Sequence, residues 1–179
     1  QRGVALRSVL TKPVTPSTLL EAIGEALGKG TIVETRAQLQ AELDAEVMAK
    51  SAGSRVLLVE DNDLNQELAL DLLRQAGMDA VVAGNGREAL DILARDARFD
   101  GVLMDCQMPV MDGYDATREL RRNPAFDAIP VIAMTANAMA GDREKALAAG
   151  MCDHIAKPLD VRAMFATFAR WIRPSGAAV

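Results

Sequence analysis

From Arg55 onward the apolar positions alternate between short continuous runs and four-spaced repeats. The runs are Val56-Leu57-Leu58-Val59, Ala80-Val81-Val82-Ala83, Val102-Leu103-Met104, Val131-Ile132-Ala133-Met134 and His154-Ile155-Ala156. Each predicts a strand, and the fully apolar Val56-Leu57-Leu58-Val59 predicts one buried on both faces. Between the first two, Leu64, Leu68 and Leu72 repeat at four, with Leu73 and Ala76 beside them and Gly77 as a stop. Gly84-Asn85-Gly86 reads as a turn, and Ala89, Leu90 and Leu93 mark a second helix. A third helix is predicted from near Asp112 to Arg122, stopped by Asn123-Pro124. A fourth covers roughly Ala140 to Ala149, closed by Gly150, and a fifth buries Met164, Phe165, Phe168 and Ile172. Five strands alternating with five helices predict an α/β fold. Its sheet is parallel and doubly wound, with right-handed crossovers and helices on both faces.

The first 54 residues do not follow this rhythm. Val9-Leu10-Thr11-Lys12-Pro13-Val14 is a short apolar segment, and Ser17 or Thr18 can cap a helix carrying Leu19, Leu20, Ile23 and Leu27. A shift of 145 residues lays Lys12-Pro13 on Lys157-Pro158 and Leu19-Leu20 on Met164-Phe165. The same shift lays Ile23 on Phe168 and Leu27 on Ile172. Residues 1–30 are therefore expected to be the closing strand end and helix of an upstream copy of the same fold, in a fragment of a longer protein. Residues 31–54 read as a linker. Thr35 and Gln38 match a capping box, and Leu39, Leu43 and Val47 form a narrow stripe that can pack on a neighbour or pair with another copy. Ser51-Ala52-Gly53-Ser54 is expected to be a flexible break. The main domain then covers 55–173, and 174–179 form a tail.

Composition removes several classes of function. With 25 acidic and 20 basic residues the net charge is −5, which argues against a nucleic-acid surface or direct contact with an acidic membrane. Cys106 and Cys152 lack metal-ligand spacing and His154 is the sole histidine, so neither a zinc site nor a disulfide framework is expected. Two cysteines read as small apolar filler point to a reducing, cytoplasmic setting. At 3% aromatics, the core must come from aliphatic side chains and methionine.

The candidate chemistry lies just past the strand ends. Glu60-Asp61 follow the first run, Asp105 the third, Thr135 the fourth and Lys157 the fifth. In a doubly wound sheet these positions share the carboxyl edge, where ligands bind. Two unit charges 4 Å apart repel by about 4 kcal/mol at an effective dielectric near 20. Converging Glu60, Asp61 and Asp105 therefore call for a hard divalent cation with oxygen ligands. A carboxylate held beside such a cation and the Lys157 ammonium can attack phosphorus, and the cation, Lys157 and the Thr135 hydroxyl can neutralise phosphoryl oxygens.

Residues 55–173 resemble the receiver domain of two-component response regulators, most narrowly the receivers of hybrid sensor histidine kinases. The resemblance rests on Val59-Glu60-Asp61-Asn62, MDCQMPVMDGYDATR at 104–118, MTANAM at 134–139 and GMCDHIAKP at 150–158. It implies a flavodoxin-like receiver fold with strand order 2-1-3-4-5. It implies that Asp105 accepts the phosphoryl group and that Glu60, Asp61, Asp105 and the Gln107 carbonyl bind Mg²⁺. Thr135 is implied as the switch hydroxyl and Lys157 as the phosphoryl contact, with a cis bond before Pro158. His154 occupies the switch position where many receivers carry Tyr or Phe, which puts the strength of aromatic coupling in question. Gln107 and Asn137 are implied to flank the water that hydrolyses the phosphoaspartate. Expected partners are a histidine kinase or histidine phosphotransfer domain as donor, the neighbouring receiver in the same chain, and a second copy in a homodimer. The output is expected at the face of the fourth helix, fifth strand and fifth helix. Such a chain promotes phosphorylation of its own Asp105 and hydrolysis of the product rather than turning over a substrate, and its parent is expected to be a histidine kinase. Two rival readings are a docking or dimerisation module not switched by phosphorylation, and a dehalogenase-like phosphatase. The second wants an acid two residues after the nucleophile, where this chain has Gln107.

Overall fold

The run Val56-Leu57-Leu58-Val59 forms the centre of β1 (Arg55–Val59) in the computed structural model, which describes Ala45, residues 48–136 and residues 140–174. The chain divides into two compact units, 1–45 and 46–179. Lys12-Pro13 and its helix, the stripe at Leu39, Leu43 and Val47, Asn137, and tail residues 175–179 lie outside the described residues. In the second unit β1 is followed by α1 (Asp63–Gln75), β2 (Asp79–Ala83), α2 (Gly86–Arg95), β3 (Gly101–Asp105) and α3 (Gly113–Leu120). Then come a 3₁₀ turn (Pro124–Phe126), β4 (Val131–Thr135), α4 (Ala140–Ala148), β5 (Asp153–Ala156) and α5 (Val161–Trp171). Every strand pair is parallel, as expected from the alternation of strands and helices, and the order β2-β1-β3-β4-β5 is the one the receiver resemblance implies.

The continuous apolar runs are explained by two cores, one on each face of the sheet. On one face Leu57, Val59, Val102, Met104, Val131 and Ala133 meet Ala89 and Leu93 of α2 and Ala116 and Leu120 of α3. On the other, Val56, Leu58, Leu103, Ile132, Met134 and Ile155 meet Ala69, Leu72 and Leu73 of α1 and Met164, Phe165 and Phe168 of α5. Successive strand residues point to opposite faces, so a central strand with helices on both sides needs apolar residues at every position. Fully burying one such Leu or Val stabilises the fold by about 1.5–3 kcal/mol relative to leaving it exposed. The edge strand β2 is covered less well, and Ala80, Val81 and Val82 are half-buried rather than buried.

Four local readings change. The four-spaced Leu64 and Leu68 do not enter the core: they are 74% and 50% exposed, and Ala69, Leu72 and Leu73 make the buried face of α1, with Ala76 buried at its C-cap. Gly84-Asn85-Gly86 is a helix start, because the Asn85 side chain accepts from the Glu88 N–H and the Glu88 carboxylate accepts from the Gly84 N–H. The third helix ends at Leu120, and Asn123 caps the separate 3₁₀ turn. Ser51-Ala52-Gly53-Ser54 is packed rather than loose. Ser51 and Ser54 are buried, the Gly53 N–H donates to the Gly77 carbonyl at 2.8 Å, and the Ser54 carbonyl accepts from Asp79 N–H at 2.9 Å. Met48 also rests against the second core.

Strand order reverses between β1 and β3, since β1 continues to β2 on one side while β3 leads to β4 on the other. The carboxyl ends of β1 and β3 therefore border a crevice, and the site lies there.

Candidate active site

β3 carries Asp105 to its last position, where the residue is 5% exposed. One carboxylate oxygen, Oδ1, accepts the Gln107 backbone N–H at 3.1 Å, and Oδ2 lies 2.7 Å from Lys157 Nζ. The main chain behind it is crowded as well. A Cβ on Gly113, the first residue of α3, would lie 2.1 Å from the Asp105 carbonyl oxygen, so only glycine lets α3 start this close. Asp112 caps α3 through the Asp115 N–H at 2.8 Å, which fixes where the loop from Asp105 ends.

β1 ends at Val59 and hands over Glu60 and Asp61. Glu60 is 1% exposed and both its oxygens are held: Oε2 by Lys157 Nζ at 2.5 Å and Oε1 by Asn65 Nδ2 at 2.8 Å. Gln66 Nε2 donates to the Glu60 carbonyl at 2.7 Å. Asn62 caps α1 by accepting the Asn65 N–H. Asp61 is exposed at the mouth. Carboxylate oxygens of Glu60, Asp61 and Asp105 all lie within 4.8 Å of one another. In their ionised forms three carboxylates and one ammonium leave the crevice two charges negative, and every donor is a hard oxygen. That set fits a divalent cation of the magnesium type.

Thr135 is the last residue of β4 and 2% exposed. Asp105 is in register with Met134, so Thr135 stands one position further along the same edge, and its carbonyl accepts the Lys157 N–H at 2.7 Å. Lys157 follows β5, and the Lys157–Pro158 bond is cis. Burial pushes the Asp105 carboxyl up, against Lys157 and the Gln107 N–H, which pull it down. Burial works against the Lys157 charge, but its bonds to Asp105 and Glu60 outweigh that and hold the ammonium above its ordinary value. Cys106 follows the acid directly, yet burial pushes its thiol up to about 11, so it stays protonated at neutral pH and is no rival nucleophile.

The structure thus gathers Glu60, Asp61, Asp105, Thr135 and Lys157 at one edge. Gln107 stands two residues beyond Asp105, exposed, with its N–H on the acid. His154 lies on β5, half-buried, in register with Ala133. Its Nδ1 has no hydrogen-bond partner and is 3.7 Å from an Asp153 oxygen. Asn65 and Gln66 are absent from the sequence-based site. A buried acid needs donors, and two amide side chains in the turn following Glu60 were the available signal.

A family model described as the response regulator receiver domain matches residues 56–169. A hybrid signal transduction histidine kinase of Dictyostelium discoideum is 39% identical over 117 residues, which are 62% of this chain and 7% of that kinase. The chain thus spans a small part of that relative's length. The receiver domain of a Pseudomonas aeruginosa sensor histidine kinase, crystallised with magnesium coordinated in its active-site cleft, is 44% identical. It superposes with a TM-score of 0.62, covering 67% of this chain and 98% of that one. A Saccharomyces cerevisiae receiver, co-crystallised with a histidine phosphotransfer signalling protein, is 28% identical with a TM-score of 0.63, covering 67% and 89%. Sheet order, acidic crevice and family match agree over the same residues, and the chain belongs to the response regulator receiver domains of two-component signalling.

Proposed function

We propose that this domain takes a phosphoryl group from phosphohistidine onto Asp105. The observation that carries the reading is the Asp105 carboxylate, 2.7 Å from Lys157 Nζ and sharing its crevice with Glu60 and Asp61. An Asp105 oxygen forms a bond to phosphorus as the phosphorus–nitrogen bond of the donor breaks. The imidazole leaves with that electron pair and takes up a proton. Glu60, Asp61, Asp105 and the Gln107 carbonyl would hold Mg²⁺, which when bound supplies positive charge for the phosphoryl oxygens. Lys157 follows the transferred group with its ammonium. Thr135 turns its hydroxyl toward the new phosphoryl oxygens, and with His154 it shifts the face of α4, β5 and α5 between two states. Gln107 borders the path of the hydrolytic water.

The donor is a histidine kinase or a histidine phosphotransfer domain. Leu64 and Leu68 stand exposed on α1, the helix that begins beside Glu60 and Asp61, and offer it an apolar footing at the mouth. The context is the cytoplasmic part of a hybrid histidine kinase, with residues 1–30 closing an upstream receiver. Among the described residues no helix is long and apolar enough to cross a membrane. Incubation with acetyl phosphate and Mg²⁺ is expected to add one phosphoryl group to the intact mass. Chelating the metal or the substitution Asp105→Asn is expected to abolish the gain. No gain in the wild type, with the donor shown competent on another receiver, would leave the docking-module reading in its place.

A further inference from the structure

We propose that Asn65 is a positioning residue of this site, acting through Glu60; the inference rests on the metal-assisted reading above. Glu60 is nearly fully buried, and a buried carboxylate turns to whatever donors its surroundings provide. Here it has two on its side chain. Lys157 Nζ takes Oε2 and Asn65 Nδ2 takes Oε1, at 2.5 and 2.8 Å. The lysine alone leaves the carboxylate free to swing about its last bonds, because Nζ is a point charge on a flexible stem. The amide of Asn65, on the first turn of α1, removes that freedom.

The same turn grips Glu60 once more and is itself fixed by a cap. Gln66 holds the Glu60 carbonyl, and the Asn65 N–H caps on Asn62. The Asn65 amide thus aims one acid of the cation crevice and, through Glu60 and Lys157, fixes the ammonium beside Asp105. Amide or carbonyl groups that orient ligating carboxylates contribute about 10- to 100-fold to metal affinity at other sites. Asn65 reaches Glu60 alone among the three acids, so its effect must travel through that carboxylate.

A double-mutant cycle reads this directly. Mg²⁺ affinity is measured by calorimetry on wild type, Asn65→Leu, Glu60→Gln and the double variant, with Asn65→Ala as a second truncation. The helix cap uses the backbone N–H of Asn65 and survives each substitution, and thermal unfolding without Mg²⁺ checks the fold. Asn65→Leu is expected to weaken Mg²⁺ binding by about 10-fold in the wild-type background and by less than about 2-fold when Glu60 is already Gln. An equal loss in both backgrounds, or none in either, overturns the inference while wild-type binding upholds the site. Absence of Mg²⁺ binding in the wild type overturns both.

Discussion

Val110 has a φ of 69° and is 85% exposed, in the loop that runs from Asp105 to α3. A β-branched residue in the left-handed region is strained by about 1–2 kcal/mol, because its Cβ crowds the backbone. Nothing apolar covers the side chain in compensation. Glycine removes the clash but loses about 0.5–1 kcal/mol more backbone entropy on folding. Val110→Gly is therefore expected to stabilise the domain by about 0.5–1 kcal/mol, seen as a higher urea midpoint at unchanged slope. A lower midpoint would show that the loop draws stability from the valine. The strain is local to the mouth of the site, which ties the loop's shape to Asp105 and Gly113 rather than to the core.

At the scale of elements, α1 has two jobs on two faces. Ala69, Leu72 and Leu73 hold it to the sheet, its first turn holds Glu60, and Leu64 and Leu68 stand in solvent. If those leucines seat the phosphodonor, Leu64→Ser with Leu68→Ser leaves labelling by acetyl phosphate unchanged. Transfer from a phosphorylated histidine phosphotransfer domain falls by about 10-fold or more, as expected for loss of apolar contacts worth more than about 1.4 kcal/mol. Equal loss with both donors would place the damage in the site instead. The same helix shows what sequence can and cannot reveal. Period and polarity found α1, and the short runs found the five described strands: β1, β3 and β4 because central strands bury both faces, β2 and β5 from short apolar segments at half-buried edges. A four-spaced leucine repeat does not say which side faces inward: Leu64 shares its stripe with Leu72, yet only Leu72 is buried. The acids, hydroxyl and lysine were legible because strand ends in this fold share an edge. Asn65 was not, since its role depends on the turn bringing an amide back to a buried carboxylate. Arg121 was equally hidden: its guanidinium bonds the carbonyls of Phe126, Ile129 and Gly150, a clamp with no periodic signature.

The second compact unit is, in its described residues, a sheet with one core on each face and the candidate site at one edge. The cores leave the central strands few ways to shift, so the candidate site residues gather at the carboxyl ends, where the backbone leaves the sheet at β1, β3, β4 and β5. At the other end of the sheet, Met48 packs on the second core, Gly53 bonds to Gly77, and Ser54 bonds to Asp79 at the start of β2. Asp105, alone among the acids gathered at that edge, is expected to form the bond to phosphorus. Borohydride reduction of the phosphorylated protein converts an acyl phosphate into a homoserine residue, and peptide mass spectrometry then locates it. The expected result is homoserine at position 105 and nowhere else, with Glu60 and Asp61 recovered unchanged. Reduction at Glu60 or Asp61, or a phosphoryl group that resists borohydride and maps to Thr135 or His154, would contradict the account.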